Sequence, residues 1–458
     1  MMLGARLKAW RADGFLRAVG VLAGGTGLAQ AILALALPVA TRLYTPADFS
    51  VLAVFTGLIS ITAVAACLRF EIAIPIPKHE VFARNLLALS LGCAAAVAAA
   101  LGVIIALFSP LLAALLNNPR LVPYLWLVPV GALLAAGMSA LQFWYARKQS
   151  FVAIARARIG QSIAAAGTQL ACGWAGFAPG GLLLAQMLNS GMSCLTLGYR
   201  VLRDERSLRR SISLRRMRAM FRRYDRFPKF STLEAVSNAA QGYLPIIMIA
   251  ALVSGPEAGY LSLAMYAVQA PMALLGGAVS QVYLSRAAQE HREQRLDTFT
   301  TEVFGRLLRL GVGPIVFAGL VAPDAFGIVF GHDWRRAGDL VVWMTPWFVL
   351  QFLSFPLSMA LPVTHSQRTS LVLQVGGMLV RVAAVQVAAM LLPSRISEAY
   401  ALSGSVAYGA YLAVVLHVVA ARKRAVLAEI RGAAPYVLAW AAAGVLVALT
   451  LATLVRDS

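Results

Sequence analysis

The sequence predicts an all-α polytopic membrane protein with about 12–14 transmembrane helices, on three observations. Hydrophobic residues fill 60% of the 458 positions and charged residues only 13%, about half the charged share of an ordinary soluble domain. The apolar residues come in runs of roughly 20, the length that crosses a hydrocarbon core. The 40 Lys and Arg, set against 19 Asp and Glu, gather in the polar breaks between those runs and favour alternate breaks. A soluble enzyme, a fibrous chain and a secreted disulfide scaffold are excluded.

The first run follows a basic arm (residues 1–13) and centres near Ala29. It is followed by another span and lacks a small-x-small cleavage site, so it reads as a membrane helix rather than a cleaved leader. Further spans centre near Leu58, Val97, Leu133, Ala164 and Leu188, giving an N-terminal six-helix bundle over 14–199. A basic loop at 200–230 carries 12 Lys and Arg. Spans near Ile246, Ala270, Ile315, Phe348, Leu379 and Ala410 give a C-terminal six-helix bundle over 231–421. Residues 422–458 supply a last basic loop and an additional helix near Gly444.

With a cytoplasmic N-terminus, 33 of the 40 Lys and Arg fall on the cytoplasmic side and six on the other, with Arg381 inside a span. That asymmetry fixes the expected orientation. It also accounts for the net charge of +21 without nucleic acid. Cys67, Cys93, Cys172 and Cys194 lie in apolar runs without paired spacing and read as small core residues.

A faint internal repeat sets Gly27-Leu28-Ala29-Gln30 on Asn238-Ala239-Ala240-Gln241 and Thr45-Pro46-Ala47-Asp48 on Gly255-Pro256-Glu257-Ala258. Six spans per half keep both halves in one orientation, which implies a pseudo-two-fold along the membrane normal and a central cleft. In the basic loop, Met217, Met220, Phe221 and Tyr224 recur at helical spacing among five arginines. This predicts an amphipathic helix, read either as a solvated linker or as a helix on the anionic leaflet. Gly20-x-x-x-Gly24 predicts close helix packing, and Pro245, Pro271, Pro314 and Pro346 predict kinks.

Catalysis has little support. There is no Gly-Lys phosphate cradle, no His-Glu-x-x-His, no Gly-x-Ser-x-Gly elbow and no large external loop. No catalytic residue, metal ligand or cofactor is expected. What remains are polar groups in or beside spans. Arg381 sits near midplane, where a charge must face protein or water. It suits either an anionic headgroup or a structural pairing with carbonyls or an acid. Arg17, Arg69, Arg306 and Arg309 lie near span ends, where they snorkel to the interface or gather around a positive mouth. Gln30, Asn238, Gln241 and Gln269 suit sugar hydroxyls or interhelical ties. Glu234, Asp324 and Glu398 are candidates for ion coupling or for end-of-helix charges.

Thr41-Arg42-Leu43-Tyr44-Thr45-Pro46-Ala47-Asp48-Phe49, then Arg69-Phe70-Glu71-Ile72-Ala73-Ile74-Pro75, resemble the first two spans of Wzx-type polysaccharide and O-antigen repeat-unit flippases. Phe227-Pro228-Lys229-Phe230-Ser231, Gly255-Pro256-Glu257-Ala258-Gly259-Tyr260 and Ser280-Gln281-Val282 resemble the opening of that family's second half, and Phe330-Gly331-His332-Asp333-Trp334 and Pro356-Leu357-Ser358 add a third region. The resemblance implies the multidrug, oligosaccharidyl-lipid and polysaccharide exporter superfamily, with two six-helix bundles in the bacterial inner membrane. It implies a substrate too, an undecaprenyl-pyrophosphate-linked oligosaccharide moved between leaflets, with a polymerase and a chain-length regulator as candidate partners. A thirteenth span departs from a twelve-helix core.

The expected mechanism is alternating access, with Arg17, Arg69 and Arg381 on the headgroup phosphate, because an unpaired anion is costly in hydrocarbon and guanidinium forks offset that cost. The rivals are a cation-coupled multidrug exporter of the same superfamily and a membrane polysaccharide polymerase or ligase.

Overall fold

A computed structural model describes residues 14–204, 211–253, 255–364 and 366–456. The N-terminal arm at 1–13 lies outside the described residues, as does the side chain of Arg17. The described chain is helical, with no strand. Among the described residues, ten helical segments are long and apolar enough to cross a membrane. Three more, Phe151–Trp174, Gly180–Asp204 and Glu257–Arg292, have the length, the first two with polar residues that lower their hydropathy. Together they match the roughly thirteen spans expected from apolar runs.

The helices in order are α1 (Gly14–Leu43), α2 (Pro46–Ala66), α3 (Glu80–Leu116), α4 (Leu127–Arg147), α5 (Phe151–Trp174), α6 (Gly180–Asp204) and α7 (Leu214–Arg223). They continue as α8 (Thr232–Leu252), α9 (Glu257–Arg292), α10 (Leu296–Leu307), α11 (Gly313–Phe330) and α12 (Arg335–Leu357). The last are the single turn α13 (Ala360–Val363), α14 (Gln367–Leu391), α15 (Ile396–Val418) and α16 (Lys423–Arg456). Two compact units emerge: the first is Met1–Tyr44 with Val51–Tyr243, the second Thr45–Ser50 with Leu244–Ser458.

In the first unit α5 packs against both α1 and α6. The polar residues that lower the hydropathy of α5 and α6 are spent on each other. Ser193 donates to the Ala157 carbonyl at 2.9 Å, and the Gln161 amide donates to the Asn189 carbonyl. Such ties replace water where none is present. Close approach of α1 to α5 runs through Gly25, where a Cβ would collide with Ala155. The expected pair Gly20 and Gly24 has nothing within 4 Å of either position, so the packing glycine sits one residue further on.

The amphipathic stripe in the basic loop folds as α7. Part of its apolar face packs on protein: Met220 is 4% exposed in the first unit's core, and the Phe221 ring, itself 42% exposed, lies 5.3 Å from that of Phe70. Buried Asn85 fastens its start, donating to the Ser211 carbonyl at 3.0 Å and accepting from the Ser213 N–H at 3.0 Å. One amide therefore satisfies two orphan backbone groups ahead of the helix.

In the second unit Thr45 and Asp48 form a capping pair at the start of α2. The Asp48 carboxylate accepts from the Thr45 N–H at 3.0 Å and from its hydroxyl at 2.7 Å, with Pro46 at the first helical position. Trp334 is buried between the rings of Phe49 (4.8 Å) and Tyr260 (6.0 Å). Gly259 is required there, since a Cβ would strike the Pro46 carbonyl. Of the expected kinks, Pro314 is preceded by a π-turn at Leu308–Val312, which relieves the clash of the proline ring with the carbonyl four residues back. Helices α8, α9 and α12 run on through Pro245, Pro271 and Pro346. A break instead occurs in α3 at Phe108, two residues before Pro110.

Candidate functional site

Arg381 lies just past the middle of α14 and is 3% exposed. Its guanidinium carbon sits 4.4 Å from the ring centre of Trp347 on α12, and 5.3 Å and 5.8 Å from those of Tyr408 and Tyr400 on α15. Gly404 makes room for this packing, because a Cβ there would meet the Trp347 indole. No carboxylate pairs with Arg381 among the described residues, and its Nε and Nη2 have no hydrogen-bond partner. On the facing ring, Trp347 Nε1 is buried and likewise without a hydrogen-bond partner. Sequence left open a headgroup, a carbonyl or an acid as the partner of this charge. The partners are aromatic faces, which attract a cation through their quadrupole without neutralising it.

The first unit holds an arginine that the sequence counts among the 33 cytoplasmic Lys and Arg. Arg158 is half-buried on α5, two turns from its start. It donates to the Thr26 hydroxyl of α1 at 2.6 Å and to Gln142 Oε1 of α4 at 3.2 Å, and no carboxylate pairs with it among the described residues. Only 11 positions separate it from Arg147, which hid it among loop charges. The signal available was the uninterrupted helical run from Phe151.

Acids beside the spans are engaged. Arg336 of α12 bridges Glu398 at 2.7 Å and Glu257 at 3.3 Å, and Ser397 donates to the other Glu257 oxygen at 2.8 Å. Arg335 lies 3.0 Å from Asp324 Oδ1, without hydrogen-bond alignment. Asp339, one turn along α12, feels the same two arginines.

Arg69 follows α2 in a left-handed turn (φ 60°), with its side chain 28% exposed and 3.5 Å from Glu71. Burial pushes the Glu71 carboxyl above its usual range, opposed by a backbone hydrogen bond and by Arg69. Gln30, Glu234 and Asn238 are exposed, and Gln241 and Gln269 half-buried. Arg306 is exposed beside Glu302 at 3.6 Å, and Arg309 pairs with Glu429 at 2.5 Å. The candidates divide between the units: Arg17, Gln30, Arg69, Glu234, Asn238 and Gln241 fall in the first, and Gln269, Asp324, Arg381 and Glu398 in the second.

Residues 39–339 match the family described as polysaccharide biosynthesis protein. The chain belongs to that family. Its fold is that of the MOP transporters. It is similar to a lipid II flippase, MurJ, in an inward closed conformation, with TM-score 0.72 and 11% identity over 95% of this chain and 99% of that one. An inward-facing multidrug resistance MATE transporter of the MOP superfamily matches with TM-score 0.58 and 14% identity, over 87% and 94%. A point mutant of the Vibrio cholerae MATE transporter VcmN matches with TM-score 0.55 and 13% identity, over 89% and 96%. No curated protein matches the sequence. The fold is one that membrane flippases and transporters share, and the chain is a multi-pass membrane protein.

Proposed function

We propose that the protein moves an oligosaccharide linked to undecaprenyl pyrophosphate across the bacterial inner membrane by alternating access. One observation carries the reading: each unit contains an arginine within a spanning helix, Arg158 and Arg381, that no carboxylate neutralises among the described residues. Fixed positive charge in low dielectric favours an anionic cargo and repels a cationic one. Asp324, Glu257 and Glu398, which a cation-coupled multidrug exporter would use, are already held by Arg335 and Arg336.

In this reading Arg17 and Arg69 contact the headgroup phosphates, since bidentate guanidinium contacts offset the cost of desolvating pyrophosphate. Arg381, enclosed by rings, acts as a standing internal charge whose field favours the anion on its passage. Gln30, Asn238, Gln241 and Gln269 meet sugar hydroxyls. Glu234, which carries no ion pair among the described residues, is the acid best suited to couple a proton, ahead of Asp324 and Glu398. A polymerase and a chain-length regulator would take up the product, and the N-terminus would face the cytoplasm.

Reconstitution with labelled lipid-linked oligosaccharide tests the proposal. Transfer between leaflets without chain lengthening supports it. Lengthening would assign the protein to polymerases, and transport of cationic drugs alone to the exporters.

A further inference from the structure

Helices α5 and α6 enclose a groove of about 150 Å³, open on one side, that takes no part in the transport reading. Its floor is small and apolar: Ala153, Ala157 and Gly160 follow one face of α5, and Met192 and Leu197 close it from α6. Nothing lies within 4 Å of where a Gly160 Cβ would be. Arg156 of α5 and Arg200 of α6 line it near the same end of this antiparallel pair, both exposed and neither in an ion pair among the described residues. Roughly 7 Å further along α5, Gln161 Oε1 is buried without a hydrogen-bond partner while its amide nitrogen is spent on Asn189.

An apolar floor of small side chains and two guanidinium groups at its end, neither in an ion pair among the described residues, call for a ligand that is anionic at one end and hydrocarbon at the other. We infer that this groove binds one anionic phospholipid of the surrounding bilayer. Arg156 and Arg200 take its phosphate from two sides, and an acyl chain lies over Ala157 and Gly160. The phosphate sits where two adjacent cations would otherwise repel each other, so occupancy ties α5 to α6 at their open end. Basic pockets between membrane helices select anionic headgroups on this principle. The inference needs the chain to sit in a bilayer and does not depend on what it transports.

The test is thermal unfolding of the purified full chain in mild detergent. Short-chain phosphatidylglycerol, phosphatidylcholine, inorganic phosphate or a polyprenyl pyrophosphate is titrated in. Phosphatidylglycerol is expected to raise the unfolding temperature saturably, and phosphatidylcholine and inorganic phosphate to leave it unchanged. In the double variant Arg156→Ala, Arg200→Ala the half-saturating concentration should rise about 30-fold. Gly160→Leu fills the groove without altering charge and should abolish the response, which keeps the test independent of how the arginine variant folds. Equal responses to both phospholipids, or unchanged responses in both variants, overturn the inference. A full response to inorganic phosphate would make this a free-anion site. A polyprenyl pyrophosphate that saturates first, and is lost in the double variant, would give the groove to the transported lipid.

Discussion

The first unit holds Arg158 with two neutral oxygens, Thr26 Oγ1 and Gln142 Oε1, whereas the second encloses Arg381 among the faces of Trp347, Tyr400 and Tyr408. A third arginine, Arg336, sits between two carboxylates in that same second unit. Hydrogen-bonding oxygens and ring faces solvate a cation and leave its field standing, while carboxylates cancel it. The difference separates arginines that can act on a passing anion from those that only fasten helices. It also explains how the second unit can carry Asp324, Glu257 and Glu398 and still leave the charge of Arg381 without a carboxylate.

The largest expected effect comes from dismantling the ring cage. Trp347→Ala should cost about 3–5 kcal/mol in the second unit, read as a fall in the denaturation midpoint in mild detergent. A cost below about 1 kcal/mol would mean the cage is not a packing centre. Next, the same replacement at the two in-span arginines should differ in sign. Arg158→Met leaves the Thr26 and Gln142 oxygens without their cation and should destabilise by about 1–3 kcal/mol. Arg381→Met exchanges an unneutralised buried charge for a flexible apolar chain among rings, and should be neutral or stabilising. Equal losses at both sites would erase the distinction between oxygen and ring solvation.

A smaller effect concerns Glu71, whose carboxyl is raised by burial. Because its folded value lies above the unfolded one, its contribution to stability is present in acid and is lost as pH rises from the ordinary carboxylate range through the raised value. Glu71→Gln removes that loss, so the variant should melt higher than the parent at pH 8 and converge with it near pH 4. Convergence in the opposite direction would place Arg69 in firm charge pairing with Glu71. The smallest effect is at Arg336. Glu398→Gln leaves Glu257 in place and should alter leaflet transfer by less than about twofold, whereas abolition would make Glu398 the coupling acid.

Much of the helical order was legible because a bilayer imposes one length and one polarity on every span. Runs centred near Ala29, Leu58 and Phe348 each fall within a helix of the structure. What escaped depends on which side chains meet. Arg158 looked like a loop charge because Arg147 lies close before it, and only the packing of α1 and α4 on α5 reveals its oxygens. The cage on Arg381 draws one ring from α12, 34 positions before it, and two from α15, 19 and 27 positions after it, beyond any local periodicity. The stripe on α7 announced an amphipathic helix but not its neighbours, since an apolar face fits a protein core and a lipid surface equally well, and the Asn85 bonds that fasten its start come from another helix.

The central claim is that carboxylate-free arginines within the spans favour an anionic headgroup in transit, and Arg381→Met tests it most directly because the variant should remain folded. With the purified variant in proteoliposomes, leaflet transfer of labelled lipid-linked oligosaccharide should fall by about tenfold or more at unchanged unfolding temperature. Transfer at the parent rate in a folded, inserted Arg381→Met protein would contradict the account.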